Sequence, residues 1–576
     1  MYVIRSRSLD CPKVFQPSAI VAGTRYVDEM YAKTEIRVME GFLLSIYNIS
    51  WTTLAGVGIG AYLIAVILYR LTLHPLAKHP GPLLGRITDW YSVYQAWSGD
   101  RHLDFIELHE KYGPFVRFGP NRISVNTNEG LKEIYGMKCN TRKASYYKTF
   151  AHVFKGDSSN TIIDPEKHGR KKRVVTQALS ENSIRAMEEH ILNNVRTFCR
   201  LMCDGNHAGS DGTKKAVHEE WSTPKDMTRW AGCLTFDIMG DICFSHSFEM
   251  LEKEENRYIL DMLPRGVQGL NIVAHMQGLL ALHLDKVLFR RLDKDMQRYQ
   301  AFSKRQSDTR VSKGDNVPIK DVFSFLIDAK DPETGSGFEM PELVGEASLL
   351  ITGGSDTTAT AITSTIFYLL HNPSTLEGLT HQVLSLFPTL ESIRGGVLLS
   401  QARYLKACVD EAMRMSPGVP GLLPREVQPG GLSISGTHFP PGTDMGVPHY
   451  AIHHNEAYYP DSFAYKPERW IADDKAGWSV ECVALAQSAF CPFSIGPRGC
   501  VGKALAMKEI MIVVARLIWL FEMRISEGTR MGEGSEPLGR GRTRSGEFQM
   551  RDMFVGKAEG PLVEFRARRT DARVVG

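Results

Sequence analysis

Phe493-Ser-Ile-Gly496-Pro-Arg498-Gly-Cys500-Val-Gly502 carries the densest chemical information in this chain. It sets one cysteine at the end of a glycine-rich loop, directly ahead of an apolar run. Ala506, Ile510, Val513, Leu517 and Phe521 recur at helical spacing, so a helix is predicted after Gly502. A cysteine at a helix start meets unpaired backbone N–H groups and the positive end of the helix dipole. Both favour thiolate over thiol. The glycines let the backbone wrap closely around the sulfur, and Phe493 can shield it from water. A chance match to FxxGxRxCxG in a chain of this composition has odds of roughly one in several thousand.

Upstream, four ExxR matches occur: Glu254/Arg257, Glu391/Arg394, Glu411/Arg414 and Glu527/Arg530. Only Glu411-Ala-Met-Arg414 lies in an apolar helical context, and i,i+3 spacing puts both groups on one face. The other three read as solvated surface pairs. Phe463-Ala-Tyr-Lys-Pro467-Glu-Arg469-Trp470 follows. Earlier still, a helix is predicted between Pro341, suited to a first turn, and Pro373, which stops it. Its middle reads Leu349-Leu-Ile-Thr-Gly353-Gly354-Ser-Asp356-Thr357-Thr358. Two adjacent glycines cost about 2 kcal/mol relative to alanine. That cost suggests a place where the backbone opens and a hydroxyl reaches a ligand.

Together these motifs resemble the cytochrome P450 family of haem-thiolate monooxygenases, in the family's order, over roughly residues 75–525 and again at 552–569. The resemblance implies a mainly α fold with small β regions behind one N-terminal transmembrane helix. It implies haem b (iron protoporphyrin IX) as cofactor, with Cys500 as the iron ligand and Phe493, Arg498 and Gly502 in the surrounding loop. Such a thiolate pushes electron density toward bound oxygen. By resemblance Thr357 hydrogen-bonds bound dioxygen, Asp356 relays protons, and Glu411, Arg414 and Arg469 form a buried structural network. His168-Gly-Arg-Lys-Lys172-Arg173 falls where the family has Trp-xxx-Arg. His168 and Lys172 are therefore candidates for the haem propionates, with Arg173 as an alternative to Lys172 and Arg425 as a further cation. A solvated helix face and a docking patch for an acidic redox partner are the other readings of 170–173. Trp230 to Phe244 looks most like filamentous-fungal members from secondary-metabolite pathways, of the isotrichodermin C-15 hydroxylase type. Substrate contacts are implied in 141–163, roughly 250–285, the helix before Gly353, 417–424 and 552–562.

The rest of the chain fits this frame. No charged residue occurs from Phe42 to Tyr69, a stretch long enough for a membrane helix. Arg70, Lys78 and Arg86 follow it, which places the larger part on the cytosolic side. Residues 1–38 read as a leader, either disordered or upstream of a true start at Met39. The predicted organisation is anchor 39–70, Pro/Gly hinge 71–82 and catalytic domain 83–570, with a flexible insertion at 526–548. Phe554 to Phe565 reads as a closing β-hairpin. Gly56-Val-Gly58-Ile-Gly60-Ala61 fits a dinucleotide motif but lies inside the apolar span, not after a strand. The 68 basic and 65 acidic residues leave a net charge of +3, which argues against a nucleic-acid partner. With 43% hydrophobic residues the chain builds a packed core, and its ten cysteines form no CxxC pair.

The expected activity is insertion of one oxygen atom into an apolar small molecule, a terpenoid or polyketide. Electrons come from NADPH through a separate NADPH-cytochrome P450 reductase, with cytochrome b5 as an auxiliary donor, at the endoplasmic reticulum membrane. The alternatives are a redox-neutral haem-thiolate isomerase or dehydratase, which needs no Asp356-Thr357 relay, and a non-catalytic membrane haem-binding protein.

Overall fold

The structure is a computed structural model that describes residues 30–35, 37–39, 51–154, 156–204, 220–330 and 335–568. Most of the 1–38 leader lies outside the described residues; the part inside, 30–35 and 37–38, is helical and exposed. The chain divides into two compact units, Met1–His74 and Pro75–Gly576.

In the first unit, Trp51–Leu68 is an α-helix that passes into a π-helical turn at Tyr69–Leu73. These 23 residues contain an 18-residue stretch of mean hydropathy 1.9, and none of the 23 is buried. At 1.5 Å per residue they extend about 34 Å, enough to cross a bilayer.

The second unit is built around one long helix, Met340–His371, here called the distal helix. It starts on a capping box, with Glu339 N–H donating to Glu342 Oε2 at 3.0 Å, and carries Pro341 in its first turn. Pro373 opens the next helix. Apolar on nearly every side, the distal helix is buried, as such helices must be. It packs against Met227–Phe244, Arg290–Lys313, Arg403–Met415 and Lys503–Leu520. The break expected at Gly353-Gly354 is absent: helical geometry is continuous from Met340 to His371.

A five-stranded sheet orders its strands Phe115–Gly119, Arg122–Val125, Asp444–Gly446, Arg425–Val427, Thr141–Lys143. The first two pair as predicted around Gly119-Pro-Asn. The closing hairpin sits earlier than predicted, pairing Met550–Met553 with Val555–Ala558. Pro561, which lacks an N–H for a ladder, separates that hairpin from Leu562–Ala567, which pairs instead with Phe521–Ile525 and Lys225–Asp226. The segment 526–548, expected as a flexible insertion, has little regular secondary structure and several internal hydrogen bonds. Gly534 N–H donates to Arg544 O and Ser535 N–H to Arg542 O. Arg542 is buried and pairs with Asp100 at 2.6 Å. Its Gly and Arg residues include positive-φ turns at Gly528, Gly532, Gly539 and Gly541 and the Arg542–Asp100 pair.

Candidate active site

The loop ahead of the helix Lys503–Leu520 closes on itself, with Cys500 N–H donating to Phe493 O at 2.9 Å. Gly496 has φ +70°, and a Cβ there would collide with the carbonyl oxygen of Tyr135. The turn therefore needs glycine on two counts. Cys500 and Cys482 are the exposed thiols among the described residues. Cys500 lines a cavity of about 330 Å³ in the interior of the second unit, so its open surface faces that cavity. Backbone N–H groups of Gly502 and Lys503 and the charges of Lys172 and Lys503 favour its thiolate, as the loop sequence suggests. Burial outweighs them, and the thiol sits above its ordinary pKa. A coordinated metal reverses that balance, because it deprotonates a bound thiol outright.

The distal helix forms another part of the wall. Thr357 lines the same cavity as Cys500, and its hydroxyl donates to Gly353 O at 2.8 Å. The two glycines have different surroundings. A Cβ on Gly354 would press on the end of the Met239 side chain, whereas one on Gly353 would meet nothing closer than Leu349 at 3.5 Å; both glycines line the cavity. A Cβ on Gly418 would stand 3.1 Å from Thr357 Cβ, so glycine lets the 417–419 segment approach this wall. Asp356 does not line the main cavity. It borders a smaller one of about 40 Å³ with Lys557, Arg229 and Thr360. Burial, opposed by Lys557, pushes its carboxyl up to about 7. Thr357 and Asp356 thus face two neighbouring cavities from adjacent positions on one helix.

Cations gather at one edge of the main cavity. The helix Pro165–Ala178 brings His168 and Lys172 to the lining, while Arg173 is exposed and does not reach it. Lys172 Nζ donates to Pro497 O at 2.6 Å, and Arg498 donates to the carbonyls of Ile162 and Ile163 at 2.7 and 2.9 Å. Strand register places Lys143 directly opposite Arg425. Like charges so placed are destabilising. Burial and then Arg425 and Arg498 hold Lys143 well below its ordinary pKa. Burial and then Arg498, Lys143, Lys172 and Arg425 push His168 down to about 3. Burial and Arg425 bring Arg498 down to about 10, against Asp164, which caps the helix Pro165–Ala178. Such an excess of positive charge beside a cavity-facing thiol fits a planar group with two carboxylates on one edge and a metal at its centre. Arg425 itself is buried just behind the lining, donating to Pro424 O at 3.1 Å over the Tyr135 ring.

Glu411 receives Arg414 Nε and Nη2 at 2.9 and 2.8 Å and Arg469 Nε at 2.9 Å, all three side chains fully buried. Of the other ExxR matches, Glu254 and Arg257 do pair at 3.4 Å. Glu391 instead joins Arg196 and Arg516, and Glu527 lies beside Arg524.

Sequence reasoning did not single out several ionisable lining residues, among them Lys143, Glu346, His449 and Glu509. Glu346 and Thr357 are eleven residues apart, which returns them to one helix face. Glu346 accepts Ser159 N–H and hydroxyl at 2.5 and 3.0 Å. Glu509 has one carboxyl oxygen without a partner, and burial lifts it to about 8. Unfolded, a glutamate titrates near 4.5, so the folded chain holds a proton that the unfolded chain gives up across that window. Stability should therefore fall as pH rises from about 5 to about 8, and Glu509→Gln should flatten that slope. Urea midpoints at several pH values check it; equal slopes refute it.

Residues 75–541 match the family described as Cytochrome P450. The chain is 38% identical over 527 residues to a protein of Alternaria alternata named cytochrome P450 monooxygenase AKT7, covering 91% of this chain and 98% of that protein. It is 36% identical to cytochrome P450 monooxygenase apf7 of Gibberella fujikuroi, over 88% and 96% of the two chains. With cytochrome P450 monooxygenase atnE of Emericella nidulans the identity is 34%, over 87% and 93%. With a thiol and a distal-helix threonine lining one cavity that also gathers cations, the chain belongs to the cytochrome P450 family, a haem b-dependent monooxygenase.

Proposed function

We propose that this enzyme oxidises an apolar small molecule of fungal secondary metabolism, a terpenoid or polyketide, from the membrane of the endoplasmic reticulum. The balance is substrate C–H, O2, NADPH and a proton giving substrate C–OH, water and NADP+. The observation that carries the reading is the single cavity shared by Cys500 and Thr357. Haem, when bound, supplies the oxygen chemistry, and the protein supplies position and protons.

Cys500 holds the iron, and Lys172, Arg498 and His168 hold the acidic edge, with Arg425 adding positive potential. Thr357 keeps a proton at its hydroxyl oxygen, anchored to Gly353 O. Asp356, half-titrated near neutrality, passes protons from the smaller cavity toward it. Substrate lies between Phe150, Phe154, Leu270, Val419 and Phe554, which come from all five stretches expected to contact it once Leu349 of the distal helix is counted. A redox partner delivers the electrons. The reading assigns that role to NADPH-cytochrome P450 reductase, with cytochrome b5 as an auxiliary donor. The apolar helix Trp51–Leu73 supports a membrane anchor, and Arg70, Lys78 and Arg86 beside it favour a cytosolic catalytic unit.

Turnover with reductase and NADPH is the test. Oxygen-dependent product supports the reading, conversion without reductase supports a redox-neutral isomerase or dehydratase, and binding without conversion supports a haem-binding protein. Thr357→Ala should retain haem and NADPH consumption while product falls about a hundredfold and peroxide rises. Asp356→Asn should slow turnover instead. Unchanged coupling in Thr357→Ala removes Thr357 from the relay.

A further inference from the structure

His449 is the first residue of a short helix, His449–His453, behind Pro448. Its side chain is 1% exposed, and neither ring nitrogen has a hydrogen-bond partner. It nevertheless lines the main cavity. Its neighbour along the helix shows the contrast: His453 donates through Nδ1 to Arg414 O at 3.1 Å and accepts Cys491 N–H through Nε2 at 3.0 Å. A buried imidazole left without partners on both sides is costly unless something in the cavity completes it.

The backbone around His449 is tightly held. Pro448 bridges to Leu422, His449 N–H donates to Gly421 O at 3.2 Å, and Tyr450 N–H donates to Pro420 O at 2.9 Å. The ring is therefore fixed to the 420–422 segment, whose flanking residues Val419 and Leu423 also line the cavity. Burial, opposed by a loose contact with the Val419 backbone and reinforced by Arg425, lowers the ring to about 4; that contact falls short of hydrogen-bond geometry and leaves both nitrogens open. It is a neutral imidazole with one N–H to give. Arg425 marks which end of the cavity this is, because Arg425 pairs across the sheet with Lys143 in the cationic edge. Arg425 Nη1 is turned toward Pro424 O, Leu423 O and the Tyr147 hydroxyl. Arg425 supplies charge from just behind the lining, and His449 supplies an uncharged donor on the lining itself.

We propose that His449 is a further haem-binding residue, donating a ring N–H to a carboxylate on the acidic edge of the haem. This rests on the haem reading of the cavity. It adds a donor from the strand-to-helix turn at 446–449 to those on the cysteine loop and on the helix Pro165–Ala178.

The test uses full-length holoenzyme and two readouts other than turnover. One is the rate of haem loss to excess apomyoglobin. The other is the propionate-bending band in the resonance Raman spectrum. His449→Phe keeps a planar ring and removes the donor; His449→Leu removes both; His449→Gln returns an amide N–H. Haem loss should quicken about tenfold in the first two, with a shifted propionate band, and glutamine should recover most of the difference. A phenylalanine or leucine variant that accumulates only without haem, beside a haem-loaded glutamine variant, supports the assignment equally. Unchanged haem loss and an unchanged band in the haem-loaded variants would overturn the assignment, with substrate KM then showing whether the ring serves substrate instead. Wild-type protein that takes up no haem would overturn the reading beneath it as well.

Discussion

Cys500→Ser should give a folded protein whose reduced carbon monoxide complex lacks the thiolate-type Soret shift. The change is nearly isosteric, and the N–H groups of Gly502 and Lys503 that face the sulfur can bond a hydroxyl as well. A hydroxyl does not ionise to a comparable ligand, so the iron loses its thiolate donor. Reductase-supported turnover should fall by more than about a hundredfold, since even the outer partners of a metal ligand are worth about ten- to hundredfold. Cys491 is the control. It lies just ahead of the same loop, is 1% exposed, does not line the cavity and meets His453 instead. Cys491→Ser should leave the Soret band where it is. Retention of the thiolate band in Cys500→Ser would refute the ligand assignment.

What could be read from the residues alone was what local rules govern. Cys500, its glycines and the start of the helix behind it lie within one short stretch, and each has a short-range reason to be there. Pro341 and Pro373 bracket the distal helix for the same kind of reason. Long-range register was out of reach. Lys143 and Arg425 are far apart in the chain, and only the pairing of two three-residue strands makes them neighbours. The misplaced hairpin shows the same limit. Met550–Ala558 and Leu562–Ala567 are both strand-like, and local pattern does not say which partner each takes. Gly354 shows a subtler one: a costly glycine pair suggests a functional opening, yet one of the two packs against Met239 from another helix.

Loop geometry favours the Cys500 thiolate, but burial wins in the protein alone, so the dipole and two N–H groups do not suffice. The cationic edge is likewise unfavourable by itself, since Lys143, Lys172, His168 and Arg498 are each pushed toward their neutral forms. Both features become favourable with one and the same ligand, a metal against the sulfur and carboxylates against the cations. Haem-free protein should accordingly be markedly less stable than holoenzyme, by linkage to a group that binds only the folded state.

Glu411→Ala should be the most damaging substitution outside the iron ligand. Glu411 is fully buried and receives Arg414 twice, Arg469 once, the Lys466 N–H and the Trp470 indole N–H at 3.0 Å. Burial alone would raise its carboxyl, but Arg414 and Arg469 more than offset that and hold it below the ordinary range. Removing it strands two guanidinium groups in the interior, at about 3–5 kcal/mol for breaking such a network. Arg414→Ala should cost less, because Glu411 keeps Arg469 and two N–H donors. It still frees the carbonyls of His453 and Ser462, each held by Arg414 Nη1 at 2.7 Å. The His453 link matters most, since that residue also meets Cys491 at the root of the cysteine loop. Arg469→Ala should cost least, having one bond to Glu411 and longer ones to Pro460. The double variant Glu411→Ala/Arg414→Ala should lose less than the sum of its parts, because it strands one charge fewer. Urea midpoints of the holoenzymes, with soluble haem-loaded yield where a variant is too unstable to titrate, test the order. Additive losses, or an Arg469 variant worse than the Glu411 variant, would mean that the three side chains do not act as one network.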